Sequence, residues 1–492
     1  GKERMGIHME QGPFRVHFVG IGGIGMSGIA RILVEMGWPV SGSDLVASEK
    51  TESLAAAGVV VHIGHRRENV IGAELVVVSS AVPLDNCEIE FARLNGIPVV
   101  TRAQMLGHLM RDRYGIAVAG THGKTTTTSM LSLVLEKSGC DPSIVVGGEV
   151  FDIGGNGKLG KGPHLVVEAD ESDGSLLALP ARIAVITNIE ADHLDHYPDL
   201  NAVRAVFLDF MRQVPPDGAV VTCADDQGLA KLATQLACRH ADYGLQNGLW
   251  QAKDLQFFPF GSQSTIWRGK EKIGRLCLQV PGSHNVANAL AVLAVADELD
   301  LSIGDAISIL KEFRGVARRF ERIGERDGVL VIDDYAHHPT EIRATLAAAR
   351  HLQKRIVAVF QPHRYSRLAR LLQDFASCFF DADQLILTDI YPAGEKPISG
   401  ISGVVLARAV LGAGYTNVTY IPEKLDIPDF LSRSVGYGDV VLTLGAGDIR
   451  DVGIDFLNRE KERVVSKCRK SESLAVGNCE VLFPLVEQKT QS

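Results

Sequence analysis

At 492 residues the chain is too long for a single hydrophobic core, and about three domains is the expectation for that length. Its 46% hydrophobic and 22% charged residues are those of an ordinary globular protein, and a net charge of −9 without a basic block excludes a nucleic-acid footprint. No apolar run is long enough to cross a bilayer, Gly1 to Phe14 lacks a signal core, and the eight cysteines form no Cys-x-x-Cys pair, so a cytoplasmic protein with no membrane partner, no zinc site and no disulfide framework is expected.

Residues 1–13 read as a disordered start. Residues 14–112 alternate strand and helix: a strand at Phe14 to Val19, a helix through Ile29, Leu33 and Met36 that stops at Gly37, a strand ending at Asp44, and further strands at Val59 to Ile63 and Leu75 to Ser79. The first turn is Gly20-Ile-Gly22-Gly23-Ile24-Gly25-Met26-Ser27, a Gly-x-Gly-x-x-Gly between strand and helix, with Asp44 about twenty positions on. By itself this pattern predicts NAD, with the glycines admitting a pyrophosphate and Asp44 accepting from a hydroxyl; a ligand-free βα turn is the alternative. Ser79 and Ser80 end a strand, where ligands gather in open α/β sheets, and His65 and Arg102 are candidate contacts or solvated surface groups.

A second domain is expected over 113–318. Its apolar strand Ile116 to Ala119 runs into Gly120-Thr121-His122-Gly123-Lys124-Thr125-Thr126 and then into a helix marked by Met130, Leu131, Val134 and Leu135. Strand, glycine loop and helix form the setting that cradles a phosphate: loop amides and the helix N-terminus face the anion, Lys124 meets the outer phosphates and the Thr125 hydroxyl can hold Mg²⁺. The loop is shorter than the usual phosphate-binding motif, since position 118 is Val, and Gly-Lys-Thr by itself is also a common surface turn. The strand 164–168 ends among Glu168, Asp170, Glu171 and Asp173, of which Glu168 is the favoured Mg²⁺ ligand, and 182–188 delivers a cluster containing Asn188, Glu190 and His193. Residues 240–280 read as irregular and aromatic, with antiparallel strands. Ser283 is a helix-cap candidate that puts His284, Asn285 and Asn288 on the first turn, for nucleoside contacts or polar packing.

A third domain, 319–463, repeats the alternation with strands at Val329 to Asp333, Arg355 to Phe360, Gln384 to Ile390, Asn417 to Tyr420 and Asp439 to Leu444. Strand ends deliver Asp334-Tyr335-Ala-His337-His338-Pro339 and Gln361-Pro-His363-Arg364-Tyr-Ser-Arg367, cationic clusters suited to a carboxylate or phosphate. Gly445-Ala-Gly447-Asp448 is read as an architectural turn, and 464–492 as a polar, loosely ordered tail. The fold class is therefore α/β: three mainly parallel domains, the outer two Rossmann-like and the central one resembling a phosphate-loop ATPase.

Taken together, Gly20 to Met26, Gly120 to Thr126, Asn188-Ile-Glu-Ala-Asp-His193, Asp334 to Pro339 and Gln361 to Arg367 resemble the Mur ligases, ATP-dependent amide-forming enzymes of peptidoglycan precursor synthesis, over nearly the whole chain. The motifs look most like the member that adds L-alanine to UDP-N-acetylmuramate; the recycling ligase that attaches a peptide to the same sugar is the neighbouring alternative. The resemblance moves the first glycine loop from NAD to the UDP-sugar, with Gly22, Gly23, Ile24, Gly25, Met26, Ser27, Asp44, His65, Ser79, Ser80 and Arg102 as its contacts. It implies ATP and Mg²⁺ as cofactors. Lys124 and Thr125 would serve phosphates and metal, with Glu168 and His193 as further metal ligands. His284, Asn285, Asn288, Arg319 and Asp334 would lie on the ATP side, and Tyr335, His337, Arg364 and Arg367 would frame the carboxylate and the alanine, with His337 a candidate amine base. Several relatives carry a carbamylated lysine where this chain has Phe207. A monomer or homodimer is expected. A dehydrogenase using Gly20 to Asp44 for NAD, or a phosphate-loop motor, leaves several of these motifs unused.

Overall fold

The computed structural model describes residues 13–150, 155–171, 175–190, 197–459, 474–476 and 479–481. The first sheet is all parallel, with β1 (Val16–Val19), β2 (Val40–Asp44), β3 (Val60–Ile63), β4 (Leu75–Val78) and β5 (Val99–Thr101) in the order β3-β2-β1-β4-β5. The order reverses beside β1, so the turn after β1 lies at the topological switch point where such sheets bind ligands. That turn enters the helix Ile24–Glu35, whose apolar face (Ile29, Leu33, Met26) is buried against the sheet. Burial of both faces explains the apolar run Leu75–Val78 and the fully buried Val16–Val19, in which His17 is the polar member.

The second sheet is built around β6 (Tyr114–Ala119), which pairs in parallel with β9 (His164–Glu168) on one side and β10 (Ile183–Ile186) on the other. Parallel pairing brings the C-terminal ends of all three strands together, which is why the loop after Ala119, the acids after Val167 and the polar run after Ile186 converge. β7 (Ser143–Val150) and β8 (Gly155–Lys158) form an antiparallel hairpin beyond β9, and β11 (Ala219–Cys223) and β12 (Arg239–Gly244) continue the other side. The stretch 240–280, expected to be irregular and aromatic with antiparallel strands, does hold strands, and they are regular: β13 (Trp250–Phe258), β14 (Gly261–Arg268) and β15 (Glu271–Leu278) are neighbours at the sheet's end. Alternating burial along β14 produces this regularity, and the aromatic residues mask it when the sequence is read alone.

One buried apolar cluster runs through the first two sheets, and the helix Arg102–Arg111 contributes Met105, Leu106, Leu109 and Met110 to it. Gly107 on that helix lies against the backbone of Ala178: a Cβ there would come within 2.1 Å of the Ala178 oxygen. Gly107→Ala is therefore expected to cost about 1–3 kcal/mol by overpacking, seen as a lowered thermal midpoint. An unchanged midpoint would show that the contact yields freely.

The chain divides into two compact units, the first holding the two sheets above and the second beginning its main span at Arg318. The second unit contains a further sheet in which β17 (Val329–Asp334), β21 (Val440–Leu444), β18 (Ile356–Phe360), β19 (Gln384–Leu387) and β20 (Val418–Tyr420) are parallel neighbours in that order. β16 (Glu321–Arg326), unforeseen in the sequence because its residues are charged, pairs antiparallel with β17. Short strands β22 (Leu474–Val476) and β23 (Cys479–Val481) extend the other edge, so part of the tail expected to be loose is strand; the rest of it, and residues 1–12, lie outside the described residues. Mainly parallel α/β architecture in three sheets is as expected. Among the described residues no helix is long and apolar enough to cross a membrane.

Candidate active site

The loop between β6 and the helix Lys124–Lys137 turns on two glycines, Gly120 at φ +133° and Gly123 at φ +81°. Side chains are excluded there by more than φ: a Cβ on Gly120 would meet Thr187 Oγ1 at 2.0 Å, and one on Gly123 would meet Asn288 Oδ1 at 2.7 Å. The residues that follow β10 grip the loop from one side. Asn188 accepts from the His122 amide through Oδ1 at 2.8 Å and donates to the His122 carbonyl through Nδ2 at 3.1 Å, while the Thr187 hydroxyl donates to the same carbonyl at 2.6 Å. Gly123 caps the helix with no side-chain partner for the first amides, the arrangement that receives an anion.

Lys124 is the cation of this loop. Its Nζ donates to the Gly120 carbonyl at 2.5 Å and to both oxygens of Glu171 at 3.0 and 3.1 Å. Burial alone would lower its pKa, but Glu171, Asp170 and Glu168 outweigh that and hold it up at about 12. The next residue, Thr125, donates from Oγ1 to Glu168 Oε1 at 3.0 Å, and the other Glu168 oxygen accepts from the Gly147 amide at 2.6 Å. A hydroxyl and a carboxylate, both hard oxygen donors, thus meet at the first turn of the helix with the carboxylate oriented by the hairpin. Asn285 and Asn288 are buried on the first turn of the helix Ser283–Glu298 and joined by a 3.2 Å hydrogen bond, with Asn288 against Gly123; His284 is exposed beside them.

In the first sheet, Gly22, Gly23, Ile24 and Gly25 present backbone at the start of an uncapped helix. Asp44 already uses Oδ2 to accept from the Gly22 amide at 2.8 Å, so one of its two oxygens serves the loop rather than a ligand. Arg102 packs its side chain against Gly25, and Ser79 lies against Gly20. Ser80 is exposed beside Ser79.

The second unit carries its own constellation. Asp334 is buried and accepts from the Phe320 and Ala336 amides at 2.7 and 2.8 Å; burial raises its pKa to about 6, against the lowering effect of Arg319. Arg318 and Arg319 stack on the Tyr335 ring, 5.1 and 5.3 Å from its centre. His337 Nδ1 lies 3.0 Å from the Tyr335 carbonyl and 3.4 Å from Glu341 Oε2, two acceptors that a hydrogen on Nδ1 would meet. Arg364 sits at φ +71°, a costly conformation for a side-chain-bearing residue, and its amide is held by the Tyr391 carbonyl at 2.9 Å.

His363 stacks on Tyr391 at 5.5 Å and accepts from Arg367 through Nδ1 at 3.2 Å. Burial, then Arg367 and Arg364, depress its pKa to about 4, whereas an unfolded histidine titrates near 6.5. The folded state therefore resists protonation, so this group's contribution to stability is whole above pH 6.5 and is lost as pH falls toward 4. His363→Gln is expected to flatten the denaturant-measured stability over that window, where one histidine contributes at most about 1.4 kcal/mol per pH unit. An unchanged slope would place the titration elsewhere.

Family models match three consecutive stretches: "Mur ligase family, catalytic domain" over residues 15–114, "Mur ligase middle domain" over 118–296 and "Mur ligase, glutamate ligase domain" over 318–447. This chain belongs to the Mur ligase family. A UDP-N-acetylmuramate–L-alanine ligase from Geobacter sp. strain M21 is 49% identical over 450 residues, covering 91% of this chain and 98% of that protein. A protein of the same name from Myxococcus xanthus is 47% identical, covering 90% of this chain and 94% of its own length. Among solved structures, UDP-N-acetylmuramate–alanine ligase from Thermotoga maritima matches with a TM-score of 0.78 at 32% identity, covering 90% of this chain and 98% of that one. A murein peptide ligase from Psychrobacter arcticus matches with a TM-score of 0.68 at 26% identity over the same shares of the two chains.

Within this Mur ligase, the structure brings Gly120 to Thr126, Glu168, Asn285 and Asn288 to one place. It turns the side chains of Met26 and Ser27 inward: Met26 is in the core, and the buried Ser27 hydroxyl donates to the Ile24 carbonyl and accepts from Asn156. The helix phase that exposes Ile24 buries the side chains at positions 26 and 27, so these two bring no side chain to the glycine turn. Phe207 is fully buried in the apolar cluster and offers no metal-ligating atom. His193 lies outside the described residues. Sequence reasoning passed over Glu171, Asn188 and Thr187 as partners of the loop; position at a strand end beside β6 was the available signal.

Proposed function

We propose that this Mur ligase is an ATP-dependent acid–amino-acid ligase. It joins L-alanine to the lactyl carboxylate of UDP-N-acetylmuramate, releasing ADP and phosphate, in cytoplasmic peptidoglycan precursor synthesis. The observation that carries the reading is the loop at Lys124, where a glycine-framed helix N-terminus, a held cation and the Thr125–Glu168 pair assemble within one site. Support for the substrates comes from the relatives of that name, which match along nearly their whole length.

A carboxylate does not acylate an amine at neutral pH, since its leaving group is oxide. In the proposed reaction a lactyl carboxylate oxygen attacks the γ-phosphorus of ATP, the bond to the β–γ bridging oxygen breaks, and ADP leaves an acyl phosphate. The alanine nitrogen then adds to the acyl carbon, the tetrahedral adduct expels phosphate, and the nitrogen gives up a proton. Lys124 and the loop amides are assigned to the charge on the transferring phosphoryl group, where positioning and electrostatics supply most of the rate. The Thr125 and Glu168 oxygens suit Mg²⁺ and would hold it, with His193 proposed as a further ligand; the ion supplies charge neutralisation on the phosphates. Gly22 to Gly25, Asp44, His65, Ser79, Ser80 and Arg102 are assigned to the UDP-sugar, and His284, Asn285 and Asn288 to the adenosine.

In the second unit, Arg319 and Asp334 are assigned to the ATP side, and Tyr335, Arg364 and Arg367 to the carboxylates. His337 is the proposed acceptor of the amine proton. The experiment is phosphate release from ATP with UDP-N-acetylmuramate, scanned across amino acids and a murein tripeptide. L-alanine is expected to support turnover; release driven by the tripeptide instead would move the chain to the peptide-recycling reaction.

A further inference from the structure

One buried charge in the first sheet has no part in the reaction so far. Glu88, in the first turn of the helix Cys87–Leu94, is fully buried. Its Oε1 accepts from Asn69 Nδ2 at 2.6 Å and from the Arg66 amide at 3.1 Å; its Oε2 accepts from the Ser43 hydroxyl at 2.5 Å and lies 3.2 Å from His65 Nδ1. Buried His17 on β1 brings Nε2 to 3.5 Å from the same oxygen, long for a hydrogen bond, while its Nδ1 pairs with the Ser41 hydroxyl at 2.9 Å. Burial alone would raise the Glu88 pKa, but contacts from His17, Ser43 and Asn69 outweigh it and hold it at about 2, so the group is an ionised, acceptor-only carboxylate.

The protons can now be assigned. Ser43 has one hydroxyl proton, and the 2.5 Å contact commits it to Glu88. His65 Nδ1 lies 3.0 Å from the Ser43 oxygen and 3.2 Å from the carboxylate, both acceptors toward it, so Nδ1 must carry a hydrogen. In the neutral ring Nε2 is then a lone pair. His65 follows β3 at the C-terminal end of the parallel sheet, the end that bears the glycine loop. The network is also bonded into that loop, since the Ser43 carbonyl accepts from the Gly20 and Ile21 amides at 2.9 Å each.

We propose that Glu88 is a positioning residue for the nucleotide-sugar: it locks His65 with hydrogen on Nδ1, so that Nε2 accepts from a donor on the nucleoside, while the Ser43 it holds sets the register of the glycine loop. The donor is a base imide N–H or a ribose hydroxyl. The inference rests on the assignment of the first domain to a UDP-sugar.

The test begins with calorimetric binding of UDP-N-acetylmuramate to the wild-type protein; no binding would remove the UDP-sugar reading itself and leave the protonation of His65 still measurable. Nitrogen-15 spectra of the histidine-labelled wild-type protein, with His65 assigned from His65→Gln, are expected to show hydrogen on Nδ1; hydrogen on Nε2 overturns the proposal without any Glu88 variant. In Glu88→Gln the KM for UDP-N-acetylmuramate is expected to rise about tenfold or more, as outer partners of a liganding histidine do elsewhere, with kcat and the KM values for ATP and alanine little changed. Adding His65→Gln to that variant should cost no further affinity; additive losses would mean that Glu88 acts only on stability. Weakened binding of N3-methyl-UDP, 2′-deoxy-UDP or 3′-deoxy-UDP, relative to UDP, identifies which donor meets Nε2, and undiminished affinity for all three overturns the acceptor role.

Discussion

Lys124→Ala is expected to abolish ligation, by about a thousandfold or more in kcat/KM, while UDP-N-acetylmuramate still binds the first domain. Lys124 is the cation placed inside the loop, bonded to the Gly120 carbonyl and bidentate to Glu171. With its pKa held at about 12, Lys124 is a cation in the wild-type enzyme at neutral pH, and alanine supplies no charge in its place. The truncation also removes the ammonium facing the buried Glu171 carboxylate, which lowers stability; retained UDP-sugar binding is therefore the control that the first domain is intact. The readout is phosphate release under single-turnover conditions. Turnover near the wild-type rate would remove the loop from the chemistry.

The second large effect concerns Glu168. Its oxygens are divided between the Thr125 hydroxyl and the Gly147 amide. A glutamine in its place must keep its carbonyl toward Gly147, because an amide N–H cannot accept, and so turns its NH₂ toward Thr125 and the site proposed for the cation. Glu168→Gln is thus expected to lower kcat about a hundredfold or more and to raise the Mg²⁺ concentration needed for half-maximal rate. Initial rates titrated with MgCl₂ test this. A variant with the wild-type Mg²⁺ dependence would mean that the carboxylate serves only to orient the hairpin.

Much of this site is legible in the order of residues because its framing is local. Gly120, Gly123, Lys124 and Thr125 are adjacent in the chain, and an apolar run before them and helical spacing after them leave little choice of geometry. The same holds for Gly20 to Gly25. Residue order says least where phase or pairing matters. Met26 and Ser27 belong to a glycine-rich run that looks like a ligand loop, yet the helix has already begun there, and its 3.6-residue period turns both inward. The strand Glu321–Arg326 is invisible to a search for apolar alternation because it is an edge strand, only partly buried and largely charged. Asp44 has the spacing of a ribose acceptor, but a free amide two residues into the loop competes for the same carboxylate, and spacing does not say which partner it takes.

The chain's order of residues determined, unaided, that two strand–glycine–helix turns exist and that the chain builds mainly parallel sheets. These are set by neighbours in sequence, through backbone sterics and hydrophobic period. The tertiary structure alone decided that Glu171 and Asn188 hold the phosphate loop, that Asn288 abuts Gly123, and that Glu88 reaches His65 through Ser43. Those contacts join segments far apart along the chain, and they follow from which strands lie side by side. That order is fixed by long crossover connections and by burial of both sheet faces, and no window of local sequence encodes it.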